Sequence, residues 1–224
     1  LNIALVGCGG QGLNGFSAFR DENVVALCDV HKEAVIEAMQ GDNPWINMEV
    51  VRGAYENFIK KGAKWFADYR EMFLQMGDKI DAVVVSTPDH MHYPIAMTAL
   101  SLGKHLYCEK PLVHTVEEAR NIAKAAEAAN VVTQMGNQGQ SNSGTITIRE
   151  WLQAEVLGPV REVHSWTNRP VWPQGMDAPD HSQAIPVKPD GLHWDLWLGV
   201  AKDRAYDPAY CPFAWRGWQD FGTG

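Results

Sequence analysis

The sequence IALVGCGGQG, which spans residues 3–12, decides the fold of this chain. Its first four residues are apolar and predict a short buried strand, and the glycine-rich turn that follows opens a predicted helix. The turn fits the pattern G-x-G-x-x-G with Gly7, Gly9 and Gly12. The first glycine allows a tight turn, the second lets the backbone approach a pyrophosphate, and the third lets helix and strand pack closely. The stretch therefore predicts a dinucleotide site, with Gly10 and Gln11 as further cofactor-binding positions.

An acidic residue stands where this type of site needs one. Asp29 follows the predicted strand Val24–Leu27 and lies 17 residues past Gly12, close to the expected ~20. Its carboxylate accepts hydrogen bonds from the two adenosine ribose hydroxyls and repels a 2′-phosphate, so NAD is favoured over NADP. His31 and Lys32 follow closely and soften that preference. The alternative interpretation is a glycine-rich turn beside a surface aspartate.

Short apolar runs alternate with helical patterns up to about residue 136. The predicted strands are Ile3–Val6, Val24–Leu27, Lys64–Ala67, Ala82–Val85, His105–Cys108 and Val131–Thr133. The predicted helices cover residues 12–20, 31–40, 51–61, 69–76, 92–102 and 115–130, the last starting with a Thr115/Glu118 capping box. This alternation indicates a parallel sheet with helices on both faces. We predict an α/β chain in which residues 1–136 form a Rossmann-type, doubly wound domain.

The composition changes beyond residue 136. Seven of the nine tryptophans and eight of the twelve prolines lie after residue 150. One helix, at residues 143–156, and one strand, Val160–Thr167, are predicted there, before a long stretch rich in proline, tryptophan and glycine. Residues 137–224 are therefore predicted to begin a second domain that is incomplete in this sequence.

Charge and composition exclude several classes of protein. The 224 residues include 19 basic and 27 acidic side chains, a net charge of −8, whereas a dedicated nucleic-acid binder usually carries a basic face. No apolar run approaches the roughly 20 residues of a membrane span. The four cysteines form no C-x-x-C pair, so neither a disulfide framework nor a zinc ribbon is suggested. No metal site is predicted, because the histidines of Asp89–His92 straddle a helix start, where the alternation of a strand fails.

Two motifs further along the chain resemble the signature of the Gfo/Idh/MocA family of sugar oxidoreductases. They are STPDHMH at residues 86–92 and CEKPL at residues 108–112. The sequences TQMGNQ (133–138) and GPVREV (158–163) resemble that family's domain junction and the first strand of its second domain. NRPVWPQG (168–175) resembles a branch common in bacterial carbohydrate-use clusters. The resemblance implies that the second domain is α+β, with an open, mostly antiparallel sheet that is truncated here.

The resemblance also implies roles for particular positions. The adenosine and pyrophosphate half of NAD would be held by Gly7, Gly9, Gly10, Gln11, Gly12 and Asp29. The rest of the cofactor would be contacted by Thr87, Pro88, His92, Glu109, Lys110 and Asn137. A carbohydrate substrate would be contacted by Lys110, Gln138, Trp172 and Arg216.

Lys110 has a chemical role that fits its place beside the nicotinamide. Oxidation of an alcohol removes the hydroxyl proton while hydride leaves the same carbon. A free lysine is mostly protonated at neutral pH and is a poor base. Burial beside a cationic ring would favour the neutral amine, which could then accept the proton. From spacing alone, a surface lysine after a strand remains the alternative.

The resemblance carries expectations about the protein as a whole. The family completes its site with an aspartate and a histidine on one helical turn, and Phe221–Gly224 resembles the approach to that segment. We therefore expect residues 1–224 to bind nucleotide better than they turn over substrate. A homo-oligomer is expected for the full-length protein. Its location would be cytoplasmic, or periplasmic if an export signal precedes Leu1.

Three classes of function remain open from the sequence. The first is a dehydrogenase of a sugar, sugar alcohol or glycoside with exchangeable NAD. The second is a glycoside hydrolase or lyase that retains NAD and oxidises a ring carbon transiently. The third is a sugar or nucleotide sensor without catalysis, against which Lys110 argues, because a sensor needs no proton-transfer lysine.

Overall fold

The computed structural model describes residues 1–167, 179, 182 and 184–223. Its strands are β1 (Asn2–Val6), β2 (Asn23–Cys28), β3 (Lys64–Phe66), β4 (Ala82–Val85), β5 (His105–Glu109) and β6 (Thr133–Gly136). Its α-helices are α1 (Leu13–Ala18), α2 (Lys32–Gln40), α3 (Met48–Lys60), α4 (Tyr69–Met76), α5 (His92–Ser101), α6 (Val116–Ala129), α7 (Ser143–Gln153) and α8 (Trp194–Leu198). Short 3₁₀ turns include Gly10–Gly12, Asp89–Met91 and Gln138–Ser141.

The six strands form one parallel sheet in the order β3-β2-β1-β4-β5-β6. In register, Val6 of β1 lies between Cys28 of β2 and Val85 of β4. The chain order reverses between β1 and β4, which is the topological switch point of a doubly wound sheet. The carboxyl ends of β1, β2 and β4 therefore gather at one edge, where such sheets bind ligands. The predicted α/β, Rossmann-type fold is confirmed.

Both faces of the sheet are buried, as the apolar strands predict. Successive residues of β1 alternate between the faces, with Ile3 and Leu5 in one core and Ala4 and Val6 in the other. The first core also contains Phe16 of α1 and Phe58 of α3, whose rings stack at 6.0 Å. The second core is built with α4, α5 and α6. No helix among the described residues is both long and apolar enough to span a bilayer.

Helix α6 begins as its sequence predicts. The Thr115 hydroxyl accepts a hydrogen bond from the Glu118 N–H (3.2 Å), and the Glu118 carboxylate accepts one from the Thr115 N–H (2.8 Å). This capping box satisfies two backbone groups that the first helical turn leaves without partners. The helix ends at Ala129, and its C-cap residue Asn130 has a left-handed backbone at φ 51°.

The last strand lies further along the chain than predicted. The sequence predicts Val131–Thr133, whereas β6 pairs Thr133 with Leu106 and Gly136 with Glu109. The apolar pattern misleads here because β6 is an edge strand whose first three side chains are exposed. Val131 instead packs partly buried against the core before the strand begins.

The strand predicted at Val160–Thr167 is wrong for the structure. These residues are exposed and form neither strand nor helix, and α7 before them is also largely exposed. A strand is stabilised by hydrogen bonds to a neighbour, and no described segment pairs with this one. The predicted open sheet of the second domain is accordingly absent from the described residues, and the boundary at residue 137 stays a prediction.

Residues 184–223 contain a third group of buried side chains, which we call the C-terminal cluster. Its members are Leu192, Trp197, Leu198, Tyr210, Cys211, Trp215 and Phe221. The rings meet edge to face, for example Trp197 and Phe221 at 4.8 Å. Such aromatic pairs add to the stabilisation from apolar burial. Much of the tryptophan in this half of the chain therefore has a packing role.

The C-terminal cluster is held against the turn that follows β4. Buried His90 contributes its Nε2 to a hydrogen bond with the Trp197 carbonyl oxygen (3.0 Å), and its ring contacts Phe221 at 5.2 Å. The buried Asp89 carboxylate accepts hydrogen bonds from the N–H (3.1 Å) and hydroxyl (3.0 Å) of Thr223. Part of the STPDHMH motif thus docks the end of the chain onto the sheet.

This docking should depend on pH through His90. Burial lowers the pKa of His90, and the nearby His114 acts in the same direction, against the hydrogen bonds to residues 197 and 221 and the charge of Asp89. The unfolded chain therefore binds a proton near pH 6.5 that the folded chain resists. Protonation of His90 therefore costs the fold nothing above pH 6.5. Below pH 6.5 folding stability falls as the pH approaches the lower pKa that His90 has in the folded chain.

We expect the unfolding midpoint, followed by tryptophan fluorescence, to drop more between pH 7.5 and pH 5.5 in the wild type than in His90→Gln. The glutamine amide retains a donor for the Trp197 carbonyl but does not titrate. Each unit by which the pKa is lowered corresponds to about 1.4 kcal/mol of lost stability. Equal pH slopes for the two proteins would contradict the role given to His90.

Candidate dinucleotide-binding site

The glycine loop joins β1 to α1 by a turn that leaves no room for side chains. Gly7 has φ +80°, and a Cβ there would lie 2.7 Å from the Ser86 carbonyl carbon and the Thr87 nitrogen. A Cβ on Gly12 would collide with the Gly7 carbonyl oxygen. By contrast, a Cβ on Gly9 would meet nothing closer than 3.6 Å. The first and third glycines thus serve backbone packing, whereas a Cβ on Gly9 would make only an ordinary contact with the Val35 side chain.

Asp29 ties the glycine loop to the end of β2. Its Oδ2 accepts hydrogen bonds from the N–H of Cys8 (2.8 Å) and Gly9 (3.3 Å), and its Oδ1 accepts one from the His31 N–H (2.9 Å). Burial raises the pKa of Asp29, while these amide hydrogen bonds and the nearby His31 lower it. The carboxylate thus orients two N–H groups, which leaves those of Gly10 and Gln11, at the start of the first helical turn, for a ligand.

On the other side of β1, Thr87 and His92 follow β4. The Thr87 hydroxyl is buried without a hydrogen-bond partner. The His92 ring is buried, with Nδ1 2.6 Å from the Pro111 carbonyl oxygen and Nε2 2.8 Å from the Thr87 carbonyl oxygen. His92 therefore links the loop after β4 to the loop after β5. Both its ring nitrogens are engaged by backbone, so it serves the predicted site by holding these loops together.

Glu109 and Gln138 meet at the carboxyl end of β5, and Lys110 follows Glu109 directly. The Gln138 side-chain amide donates to the Glu109 carboxylate (2.6 Å) and to the Tyr107 hydroxyl (2.9 Å). Glu109 is buried and packs against Gly136. A Cβ added to Gly136 would lie 2.7 Å from the Glu109 carboxylate oxygen Oε2. Lys110 is exposed, and its backbone N–H donates to the Gly136 carbonyl oxygen (3.2 Å). The described residues alone do not provide the burial that the sequence predicts for this amine.

The structure brings most of the predicted positions to one edge of the sheet. The glycine loop, Asp29, Thr87, Pro88, Glu109, Lys110, Asn137 and Gln138 all lie at or directly after the carboxyl ends of strands. Arg216 lies in the C-terminal segment instead, with its guanidinium 4.2 Å over the Trp215 ring. Trp172 lies outside the described residues. None of these placements tests a role in binding, so the roles stay predictions.

Sequence reasoning missed three contributors to this region. Tyr107 holds Gln138, and burial raises its pKa, as does Glu109, while the Gln138 hydrogen bond lowers it. Its position two residues before Glu109, on the same face of β5, was a usable signal. Asp89 and His90 dock the C-terminal segment, but this needs contacts more than 100 residues away. In the described part of the chain, no group of three His, Cys, Asp or Glu is arranged to hold a metal ion.

These features fit an extended dinucleotide. Open N–H groups at a helix start suit a pyrophosphate, the lack of a side chain at Gly9 lets the backbone approach it, and the unpartnered Thr87 hydroxyl offers a hydrogen bond further along the same edge. The fold and site define a dinucleotide-binding domain of the Rossmann type. Residues 1–137 match the family model described as "Oxidoreductase family, NAD-binding Rossmann fold". The chain belongs to this Gfo/Idh/MocA family, as its motifs predict.

Individual relatives are more distant. A glycosyl hydrolase family 109 protein of Solibacter usitatus is 29% identical over 138 residues, which cover 57% of this chain and 28% of that protein. A levoglucosan dehydrogenase of Pseudarthrobacter phenanthrenivorans is 30% identical over 81 residues, covering 36% of this chain and 21% of that protein. The structure of the WlbA dehydrogenase from Chromobacterium violaceum, with NADH and UDP-GlcNAcA, superposes with a TM-score of 0.55 at 23% identity, covering 70% of this chain and 41% of that one. The matches thus span less than half of each relative.

The close packing at Gly12 gives a test of the site. In Gly12→Ala the new methyl group meets a backbone oxygen that cannot move without reshaping the turn. Overpacking of this kind lowers folding stability by roughly 1–3 kcal/mol. Because the turn must be reshaped to relieve it, the Gly10 and Gln11 N–H groups are displaced, and we expect the affinity for NAD, measured by calorimetry, to fall about tenfold. Gly15→Ala is the control, because its Cβ makes only ordinary contacts with the Leu5 methyl groups at 3.7 Å. Equal NAD affinities for the two variants would show that the turn does not hold the nucleotide.

Proposed function

We propose that this protein is an NAD-dependent oxidoreductase that transfers hydride between nicotinamide and a hydroxyl-bearing carbon of a sugar, sugar alcohol or glycoside. The observation that carries the proposal is the position of Lys110. Its amine is exposed at the edge of the sheet where the glycine loop and Thr87 also lie. An amine that follows buried Glu109, at the edge where the unpartnered Thr87 hydroxyl also lies, is equipped for proton transfer at a bound alcohol.

Lys110 is the proposed acid–base residue. Bound NAD supplies the hydride acceptor. As hydride leaves the substrate carbon, the neutral Lys110 amine takes the hydroxyl proton at Nζ, and in the reverse direction the ammonium returns it to the alkoxide. Because Lys110 is exposed in the described structure, its desolvation would depend on the cofactor and substrate covering it.

Other side chains hold the loops of the proposed site in fixed positions relative to one another. His92 bonds to the carbonyls of Thr87 and Pro111, so the segment around Lys110 is fixed relative to the β4 loop. Glu109, through Gln138 and Tyr107, fixes the start of the segment after β6. Gln138, Arg216 and Trp172 are proposed to contact the carbohydrate, with Asn137 beside the cofactor. Polar and aromatic groups suit the hydroxyl-bearing edges and apolar faces of a sugar ring.

The proposed preference for NAD over NADP rests on Asp29. Its carboxylate lies beside the glycine loop at the end of β2, where it would accept hydrogen bonds from an adenosine ribose and repel a 2′-phosphate. In the described structure it binds the N–H groups of Cys8 and Gly9, so binding of a ribose would add to this network or share it.

A second function is supported by one relative. The match to the family 109 glycosyl hydrolase covers 57% of this chain, and the name of that protein describes a glycosyl hydrolase. In this alternative the protein cleaves a glycoside, using NAD that stays bound while a ring carbon is oxidised and then reduced. The same Lys110 would move the proton in both functions. The two functions differ in whether NADH accumulates. Both are compatible with a homo-oligomer and with a cytoplasmic or periplasmic location.

The two functions can be separated by the nucleotide that the protein carries. We would purify the protein without added nucleotide, denature it, and identify the released nucleotide and its stoichiometry by mass spectrometry. An empty protein that binds added NAD and accumulates NADH with a member of a sugar panel supports the dehydrogenase. About one NAD(H) per chain, with glycoside cleavage and no net NADH, supports the hydrolase or lyase. Stoichiometric NADP would contradict the role of Asp29.

Replacement of the lysine tests the proton-transfer step. We expect Lys110→Met to lower kcat by roughly 10²–10⁴-fold, the usual contribution of a general acid–base, with the Kd for NAD changed less than about threefold. Lys124→Met on the exposed face of α6 is the matched control and should leave both values unchanged. Turnover by Lys110→Met within a few-fold of the wild type would rule out the proposed role. The assay uses the substrate that the panel identifies.

A further inference from the structure

Residues 190–193, which we call the strap, lie against the loop that follows β2. The His193 N–H donates to the Val30 carbonyl oxygen (3.0 Å), and His31 Nε2 donates to the Asp190 carbonyl oxygen (3.0 Å). Val30 and His31 come directly after Asp29. Two backbone groups of a segment far outside the Rossmann domain are thus bonded to the residues at the adenosine end of the predicted site.

The backbone of the strap is shaped for this contact. Gly191 has φ +78°, a conformation that side chains with a Cβ rarely adopt. A Cβ at this position would also lie 2.6 Å from the Glu33 carboxylate of α2. Leu192, the next residue, is only 3% exposed and belongs to the C-terminal cluster. The strap is therefore held by the C-terminal cluster through Leu192 and by α2 through the packing of Gly191 against Glu33.

The C-terminal cluster connects the strap to the turn that follows β4. Val30 of the β2 loop packs against the cluster. On the far side, His90 and Met91 of the turn after β4 contact it, His90 through Trp197 and Met91 through the backbone at Gly199. Strands β2 and β4 are the two neighbours of β1 in the sheet. One packed unit thus touches the loops on both sides of the glycine loop.

We propose that the strap is an additional wall of the adenosine site, contributed from outside the Rossmann domain, and that it limits how fast NAD leaves. The inference rests on the proposed use of NAD at this site. A nucleotide on Asp29 lies beside residues that are held by the strap, so it dissociates only when residues 190–193 release the β2 loop. The strap therefore determines whether NAD dissociates fast enough to exchange between turnovers or stays bound.

The test measures NADH dissociation from the full chain. NADH is bound and then displaced with excess NAD in a stopped-flow instrument, and the fluorescence decay gives the dissociation rate. We expect His31→Ala, which removes the bond to the Asp190 carbonyl, to raise this rate about fivefold, the effect of one neutral hydrogen bond. Gly191→Ala, which disfavours the left-handed backbone of the strap, should raise it about tenfold.

Gly103→Ala is the matched control. Gly103 also has positive φ (+66°), a Cβ added to it would meet nothing within 4 Å, and it precedes β5, away from the β2 loop. It therefore carries similar backbone strain without touching the strap, and its dissociation rate should stay within about twofold of the wild type. Hydrogen exchange on the wild type is a second readout, because bound NAD should slow exchange of the His193 amide.

The possible results separate this inference from the proposed function. Faster dissociation in both strap variants, together with protection of the His193 amide by NAD, supports the strap as a wall of the site. If NAD binds but neither the rates nor the exchange of residues 190–194 respond, the strap has no such role and the inference is wrong. If the wild type binds neither NAD nor NADH, the proposed function itself fails. Should Gly191→Ala not fold, His31→Ala and the wild-type exchange still decide the question.

Discussion

The contact between Gly12 and the Gly7 carbonyl is the constraint on which the rest of this site depends. It brings the start of α1 so close to the end of β1 that no Cβ fits between them. This closeness directs the first N–H groups of the helix towards the edge of the sheet, where the positive end of its dipole favours an anion. Half-buried Asp29 and buried His92 then hold the neighbouring loops around this turn through hydrogen bonds to the backbone. The site is therefore preorganised before a cofactor binds.

The C-terminal cluster adds a second layer to this edge. It contacts the β2 loop through the strap and the β4 turn through His90, so residues far apart in sequence are packed against the loops on both sides of the glycine loop. The arrangement gives the tryptophan-rich half of the chain a physical reason to pack against the Rossmann domain. It also links cofactor exchange to the stability of aromatic packing, because the strap can release the β2 loop only when the C-terminal cluster moves.

The sequence by itself predicted the Rossmann sheet, five of its strands within one or two residues, and the capping box at Thr115. These features follow from local rules: apolar strands buried on both faces, a glycine turn that excludes Cβ atoms, and side chains that satisfy the first turn of a helix. The edge strand β6 was displaced in the prediction because its side chains are exposed and carry no apolar signal. The same local reasoning predicted a strand at Val160–Thr167 from its residue types alone.

Only the tertiary structure decided which segments meet. Val160–Thr167 forms no strand because no described segment pairs with it, and strand pairing is a long-range property. The docking of Thr223 on Asp89, and of the strap on Val30, joins positions separated by more than 130 residues. No periodicity or motif encodes such contacts, since they depend on how whole elements pack. The sequence thus determined the nucleotide-binding framework, and the tertiary structure determined which segment packs against its loops.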